Sequence, residues 1–473
     1  MMNLEMRFTD PQLERALRST AELVRSAGGR ALVVGGSVRD MLKGRPACDL
    51  DIEVYGIEPE RLVELLGERF ELDLVGEAFG VIKIKRLPID VSIPRRESKI
   101  GRGHRGFLVD SDPEMSVYEA AQRRDFTINA MALDPLTGEI VDPFDGRGDL
   151  KRGILRHTSG RFVEDPLRVL RAMQFAARFD LRVAAETIEL CATIEPEGLA
   201  PERVFGEWRK LVVEGVRPSR GLRFLRASSW TVYYPELHAL IGSEQDPEFH
   251  PEGDVWVHTL ASMDAFAAER TGNEREDLVV GLAVLCHDFG KPATSEVVDD
   301  RIRSFGHEEA GERPTRALLS RMTRERDLIE EVVALVVEHM KVQALYDASA
   351  SDRAIRRLAR RVGRIDRLVR VARADRLGCA KGPRGEFPAG DWLLERAEDL
   401  EVRDAAPKPI VRGRHLIEMG YSPGPLFGEI LDVCYEAQLD GKISTLAEGR
   451  AFALRLLEEL LGDPGAEGYG HSV

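Results

Sequence analysis

The sequence predicts an α/β domain followed by a long helical remainder, and three observations carry that reading. From Ala31 to about Asp142, short β-branched runs alternate with helical patterns. Beyond Arg156 the apolar spacing becomes helical almost to the end. A length of 473 residues also exceeds what one core holds, so several domains are expected.

Composition narrows the class. Hydrophobic residues make up 43% and charged residues 31%, the balance of a soluble globular protein. No stretch approaches the ~20 apolar residues of a membrane span, and the N-terminus carries no apolar run of signal type. Cys48, Cys191, Cys286, Cys379 and Cys434 are scattered without a CxxC pair. That pattern argues against a disulfide framework or zinc ribbon and predicts a cytoplasmic protein. A net charge of -14 would disfavour nucleic acid as a partner unless local basic patches exist.

Met1 to Gly28 reads as a leading amphipathic helix. Ala31–Val34 is a short buried strand that stops at Gly35-Gly36, and Ser37-Val38-Arg39-Asp40 opens a short helix. Backbone N–H groups at Gly35-Gly36-Ser37 suit an anion. Asp49-Leu50-Asp51-Ile52-Glu53-Val54 reads as a strand in which Asp49 and Asp51 share one face while Leu50 and Ile52 enter the core. Two such carboxylates repel unless a cation lies between them, and Mg²⁺ prefers oxygen ligands. Taken singly, a Gly-Gly turn and an Asp-x-Asp strand are commonly structural. Together and in this order they resemble the nucleotidyltransferases of the DNA polymerase beta superfamily.

Strands follow at Leu72–Val75 and Val81–Ile84 around a glycine-rich turn, and Pro88-Ile89-Asp90-Val91 offers Asp90 as a third carboxylate or a solvated strand end. Pro94 to Gly106 (PRRESKIGRGHRG) reads as a basic loop. Arg123-Arg124-Asp125-Phe126-Thr127-Ile128-Asn129 sets arginines, a carboxylate and an amide around an expected β-to-helix passage, equipment for triphosphate and ribose. Asp142-Pro143-Phe144-Asp145-Gly146 and Asp149 make a turn. Glu164-Asp165-Pro166-Leu167-Arg168 then starts a helix that includes Arg171, with Asp165 and Arg168 expected on one face as acceptor and donor fork for a base edge.

In combination these motifs resemble the class II tRNA nucleotidyltransferases, the CCA-adding enzymes and their poly(A) polymerase relatives, over roughly residues 15 to 230. The resemblance implies that Asp49 and Asp51, with Asp90 as candidate, hold catalytic Mg²⁺. It implies that Gly35, Gly36, Ser37 and Arg39 meet triphosphate, and that Arg124, Asp125 and Asn129 serve ribose and phosphate. Asp165 and Arg168, flanked by Glu164 and Arg171, would select CTP or ATP without a nucleic-acid template. The basic loop matches the family's mobile loop, which matters for switching from C to A addition.

The second half carries histidines. His258 lies on a helical stretch, His287-Asp288 ends the apolar run LAVLCHD, His307 sits in FGHEEAG, His339 ends VVALVVEH, and Asp375 follows on a basic helix. This set resembles the HD superfamily of metal-dependent phosphohydrolases. The resemblance implies that His258, His287, Asp288 and Asp375 hold one metal, that Lys291 lies near phosphate, and that His307 and His339 admit a second. Mixed N/O ligation leaves Mn, Ni, Fe, Co and Mg all admissible. Family members with this appended domain act on 2′,3′-cyclic and 2′-phosphates. From Arg353 to Arg376, ten arginines stand against two aspartates, and Arg353, Arg356, Arg357 and Arg360 read as an RNA-phosphate patch.

The predicted organisation is an N-terminal helix (1–28), an α/β nucleotidyltransferase head (29–150) and a helical neck and body (151–245). An HD domain (246–385) and a helical tail (386–473) follow, with linkers at Gly382–Gly390 and Ala405–Pro409. The expected activity is CCA addition to tRNA from CTP and ATP by a monomer or homodimer. Alternatives are a partial A-adding or CC-adding enzyme, a bacterial poly(A) polymerase, and an HD nucleotidase with a vestigial head. Gly76-Glu77-Ala78-Phe79-Gly80-Val81 has the form seen in tRNA nucleotidyltransferases rather than the arginine-rich segment of poly(A) polymerases.

Overall fold

The computed structural model describes residues 6–74, 81–99, 107–380 and 385–461. The glycine-rich turn at 76–80, the tip of the basic segment at 100–106, residues 382–384 of one linker and the glycine-rich C-terminal end lie outside the described residues. The chain divides into two compact units, Met1–Pro235 and Glu236–Val473.

The first unit opens with α1 (Pro11–Ser26), which starts where Asp10 accepts the Gln12 N–H at 2.7 Å and Pro11 takes the first helical position. Then come β1 (Arg30–Val34), α2 (Gly36–Leu42), β2 (Leu50–Tyr55), α3 (Pro59–Gly67), β3 (Leu72–Asp73), β4 (Val81–Ile84) and β5 (Ile89–Ser92). A ribbon of β6 (Arg95–Lys99) and β7 (Phe107–Ser111) precedes α4 (Val117–Gln122), β8 (Ala132–Leu133), β9 (Ile140–Val141) and α5 (Gly146–Arg152). The main sheet has the order β3-β4-β5-β2-β1-β8-β9. Its β2–β5 pair is parallel; the others are antiparallel.

Alternation along β1 and β2 divides the sheet's two faces. Ala31, Val33, Leu50, Ile52 and Val54 point into a core with Leu13, Leu17 and Val24 of α1 and Leu62 and Leu66 of α3. Leu32, Val34 and Tyr55 face the other way, toward Met115 and Ala120. Asp51 belongs to this second face, because it pairs with Val34 in one neighbour and with Asp90 in the other.

Three expectations are corrected here. The Arg123–Asn129 segment does not link a strand to a helix. It leaves the end of α4, and Thr127–Asn129 form a single 3₁₀ turn. The basic segment is a two-stranded ribbon on both sides of its tip, with Arg95 opposite Ser111, rather than a loop throughout. Asp165 is extended (φ -125°, ψ 104°) and precedes α6 (Leu167–Phe179), so it shares no helical face with Arg168. Proline at 166 permits the helix to start but forces the residue before it out of helical backbone.

The second unit is mainly helical, with one hairpin of Ser295–Val298 and Arg301–Ser304. Helices Val255–Ala268, Glu274–Cys286, Arg326–Glu338 and Ile365–Gly378 form its centre; Asp254 and Asn273 cap the first two. Residues 388–390, expected as linker, instead begin the helix Pro388–Asp399 with proline in its first turn. A separate C-terminal core gathers Val411, Leu416, Ile430, Cys434 and Leu457.

The arginine stripe has an apolar side and a side of ion pairs. Ile355, Leu358, Ile365 and Leu368 are fully buried, as their spacing requires. Yet Arg353 pairs with Asp440, Arg357 with Glu436 and Asp440, and Arg360 with Glu436, while Arg367 and Arg370 pair with Glu276 and Asp277. These guanidiniums therefore link neighbouring helices, with Arg353 still 53% exposed.

Gly35 is constrained by its backbone and by its neighbours in the cleft. Its φ of 78° belongs to a region that favours glycine, and a Cβ there would meet Arg124 Nη1 at 3.2 Å and Asp51 Oδ2 at 3.6 Å. Gly35→Ala is expected to destabilise the first unit by about 1–3 kcal/mol, the cost of such backbone strain, measured by denaturant unfolding against wild type.

Candidate functional site

The first unit presents a cleft of about 340 Å³ lined by Asp51, Glu53, Asp90, Ser92, Arg95, Arg123, Arg124, Glu164 and Arg168, among others. Its floor is made by strand register: Asp51 of β2 lies opposite Asp90 of β5, and Glu53 opposite Ser92. Burial pushes the Asp51 carboxyl up from its ordinary range; the charges of Asp49, Asp90 and Glu53 push the same way, against Arg124. Asp49 stands exposed just before β2, its main-chain carbonyl accepting the Ser37 hydroxyl at 3.0 Å. An all-oxygen set gathered at the cost of mutual repulsion fits a hard divalent cation.

The arginines divide into two kinds. Arg124 lines the cleft within 3.6 Å of Glu53, and Arg168 lines it while donating to the main-chain carbonyls of Arg161 (2.8 Å) and Arg123 (2.6 Å). Arg39 is buried instead, gripping Asp40 with two nitrogens, donating to Asn129 Oδ1 at 2.7 Å and lying over the Phe179 ring. Asn129 in turn donates to Asp125 at 3.0 Å, and Asp125 receives the Arg171 guanidinium and the Phe126 N–H. Burial pushes the Asp125 carboxyl up, but Arg171 and these hydrogen bonds outweigh it and the net displacement is downward. Arg39, Asn129 and Asp125, all buried, and the half-buried Arg171 thus form one polar chain that fixes the turn after α4. Asp165 accepts the Leu167 N–H and an Arg203 nitrogen, each at 3.0 Å. Sequence reasoning passed over Glu53, although it continues the every-second-residue pattern of Asp49 and Asp51.

Four imidazoles converge in the second unit. His287 and His339 each stand just past the end of an apolar helix, and their Nδ1 atoms meet the main-chain carbonyls of Val284 (2.7 Å) and Val336 (2.6 Å). His307 Nδ1 meets the Ser304 carbonyl at 2.9 Å, and His258 Nδ1 meets Glu252 Oε1 at 3.0 Å. A carbonyl or carboxylate accepts only, so each Nδ1 carries a proton and each Nε2 faces inward, its lone pair available to a metal once any proton there has left. The Nε2 atoms of His258 and His287 are 3.3 Å apart, as are those of His307 and His339.

Carboxylates complete two adjoining groups. Asp375 Oδ1 lies 2.9 Å from His258 Nε2 and 3.6 Å from His287 Nε2; Asp288 lies 3.3 Å from His287 and 3.5 Å from His307. The donor atoms of His258, His287 and Asp375 fall within 4.8 Å of one another, and so do those of Asp288, His307 and His339. Converging lone pairs with anchored far nitrogens fit divalent metal in both groups, Asp288 standing between them. Lys291 Nζ contacts Asp288 at 2.8 Å and donates to Gln245 at 2.8 Å. The sequence pattern found all six ligand candidates but neither Glu252 nor His250, which lie in the turn-rich break, where the HPEGD string ahead of His258 was the available signal.

A nucleotidyltransferase head joined to a metal-binding HD domain is the class these two sites define. Residues 31–156 match the poly A polymerase head domain and residues 255–377 the HD domain. The multifunctional CCA protein of Stenotrophomonas maltophilia (strain K279a) is 37% identical over 414 residues, covering 84% of this chain and 96% of that protein. That of Xanthomonas campestris pv. campestris (strain B100) is 36% identical over 433 residues, covering 89% and 98%. The fold is similar to the Bacillus stearothermophilus CCA-adding enzyme in complex with CTP, with TM-score 0.63 at 24% identity over 95% of this chain and 99% of that one. It is also similar to the Thermotoga maritima CCA-adding enzyme complexed with tRNA, with TM-score 0.57 at 22% identity over 95% and 97%. The chain belongs to the multifunctional CCA protein family.

Without a cation, protons balance the second site. Burial acts downward on His287, but Asp288 and Asp375 outweigh it and raise it to about 9, whereas burial and the neighbouring imidazoles push His339 down to about 4. Burial likewise acts downward on His258, but the Asp375 and Glu252 carboxylates hold it well above its ordinary value, so at neutral pH a metal must displace protons from both rings and affinity should rise with pH above neutrality. Titrating Mn²⁺ calorimetrically at neutral pH in two buffers of different ionisation enthalpy is expected to show proton release.

Proposed function

We propose that this chain builds CCA, whole or in part, on the 3′ end of tRNA from CTP and ATP, and that its HD site hydrolyses 2′,3′-cyclic and 2′-phosphoesters. The observation that carries the first activity is the Asp51–Asp90 register on the floor of an arginine-lined cleft. The converging Nε2 set carries the second. Bound cations, Mg²⁺ in the head and Mn, Ni, Fe, Co or Mg in the HD site, supply charge neutralisation and nucleophile activation at the reacting phosphorus.

The chain's own residues set the geometry. Asp49, Asp51 and Asp90 are the head's cation ligands; Ser37 holds Asp49 by its main chain, and Gly35 lets the turn pass close to Asp51. Arg124 attracts phosphate. The polar chain from Arg39 to Arg171 keeps the turn before the base-selecting residues rigid, so Asp125 and Asn129 act by positioning rather than by contact. Arg168 is placed to read a base edge with a guanidinium already oriented by two carbonyls, and Asp165 is held beside it by Arg203. In the HD site His258, His287, Asp288, Asp375, His307 and His339 bind metal, and Lys291 meets substrate phosphate. The protein works in the cytoplasm. Gly35, Gly36 and the amide groups beside them border the triphosphate.

Two experiments test this. Asp51→Ala should lower incorporation of CTP and ATP into tRNA lacking its 3′ end by more than about a hundredfold, beyond what outer-shell changes usually cost. Asp288→Ala should remove 2′,3′-cyclic phosphate hydrolysis and leave incorporation intact. Parallel loss of both activities in a folded Asp288→Ala protein counts against separate sites. Supplying each NTP alone distinguishes full from partial CCA addition. Arg168→Ala should weaken preference for CTP over UTP by about tenfold to a hundredfold, the worth of one charged hydrogen bond, with triphosphate affinity changing less.

A further inference from the structure

Beside the metal-binding groups lies a third cluster whose members fall outside the residues matched to the HD domain. Glu252 precedes residue 255 and Cys379 follows residue 377. Glu252 Oε1 meets His258 Nδ1 at 3.0 Å and His250 Nδ1 at 2.9 Å, while its Oε2 accepts the Ala380 N–H at 3.1 Å. Its side chain is only 8% exposed. Cys379 Sγ lies 3.7 Å from His250 Nδ1 and 4.0 Å from His258 Nδ1.

We infer that Glu252 is a positioning residue for the HD reaction, which holds the Nδ1 proton of His258 so that the Nε2 lone pair faces the metal, with His250 steadying the same carboxylate. The inference rests on the HD reading above.

Three features support it. First, His258 is unlike its companions. His287 and His339 rest their Nδ1 atoms on main-chain carbonyls, and His307 rests on the Ser304 carbonyl at 2.9 Å with Glu308 at 3.3 Å, whereas the oxygen acceptor of His258 is the Glu252 carboxylate. An anionic acceptor draws the shared proton more strongly and makes the opposite nitrogen a better donor to metal. Second, His258 sits inside a helix, and Ser262 Oγ bonds the main-chain carbonyl of residue 258. Among the described residues its Nδ1 contacts are Glu252 Oε1 at 3.0 Å and Cys379 Sγ at 4.0 Å, both side chains. Third, the Ala380 N–H bond ties Glu252 to the segment just beyond the Asp375 helix. One carboxylate thereby spans the turn before His258, the His258 ring and the end of the helix that carries Asp375.

His250, Glu252, His258 and Cys379 also have donor atoms within 4.8 Å of one another, so the competing possibility is that this cluster itself holds a metal. That is disfavoured because His258 would have to bind through both ring nitrogens, its Nε2 already facing Asp375 at 2.9 Å.

The test is metal binding by the full-length protein, independent of any substrate. Apo protein is titrated with Mn²⁺ by calorimetry for wild type, Glu252→Gln, Glu252→Asp and Cys379→Ser, with ¹⁵N chemical shifts of His258 recorded alongside. Glutamine keeps an acceptor but not the charge, so Glu252→Gln should bind about tenfold to a hundredfold more weakly, the usual effect of losing such a partner. Its apo melting temperature and CTP incorporation should match wild type. Glu252→Asp should recover part of the affinity, and Cys379→Ser should leave both affinity and stoichiometry unchanged. Glu252→Gln affinity within twofold of wild type, or His258 shifts showing the proton on Nε2 in the loaded protein, overturns the inference. So does loss of one bound metal in Cys379→Ser. Wild type that binds no metal would instead defeat the HD reading.

Discussion

Like charge held side by side is the constraint on which the first unit depends. Pairing β2 with β5 in parallel lays Asp51 against Asp90, and the i, i+2 rule adds Glu53 on the same face. A sheet built only for stability would not place carboxylates there, because each raises the cost of ionising the next. Much of the surrounding structure answers that cost. Arg124 approaches Glu53, Lys83 pairs with Asp90 at 2.8 Å, and the opposite sheet face is given wholly to apolar packing. The second unit meets a related problem differently. It buries Asp288 and surrounds it with imidazoles and Lys291, so that its charge is balanced by groups that can release protons when a metal arrives.

Side-chain roles separate into those that face the reaction and those that hold other residues still. On the reading proposed above, Arg39, Asp125, Asn129 and Arg171 belong to the second kind, although their chemistry suits phosphate and ribose. For Arg39, burial makes the distinction. A guanidinium that grips Asp40 and Asn129 beneath Phe179 has few directions left for a ligand, whereas Arg124 and Arg168 open onto the cleft. Ser37 follows the same logic, its hydroxyl spent on the Asp49 carbonyl.

Where local pattern decides geometry, the sequence was legible. Alternation along Asp49–Val54 announced which residues faced outward, and two apolar helices ending in histidine announced His287 and His339. What local pattern could not show was pairing between distant segments. Nothing near Asp90 says that it will lie opposite Asp51, because that depends on which strand β2 chooses as neighbour. The ion pairs of the arginines from Arg353 to Arg370 were not legible because their acids, Glu276, Asp277, Glu436 and Asp440, lie far away in the chain. Asp165 was assigned to a helical face because its spacing from Arg168 suits one, but Pro166 fixes its backbone in an extended form. Glu252 was missed because it lies in a turn with no periodicity of its own.

The placement of His287 and His339 at helix ends has a consequence for how this site can vary. Each ring is aimed by the carbonyl three residues before it, so direction is fixed by where the helix stops. Insertion of one residue upstream would swing the ring by about 100° around the helix axis. Such a protein would keep every ligand and every apolar residue and still lose the convergence. A change in the length of these helices is therefore more damaging than a volume-conserving apolar substitution within them. The counting of residues between helix start and histidine is as much a part of the site as the histidines themselves.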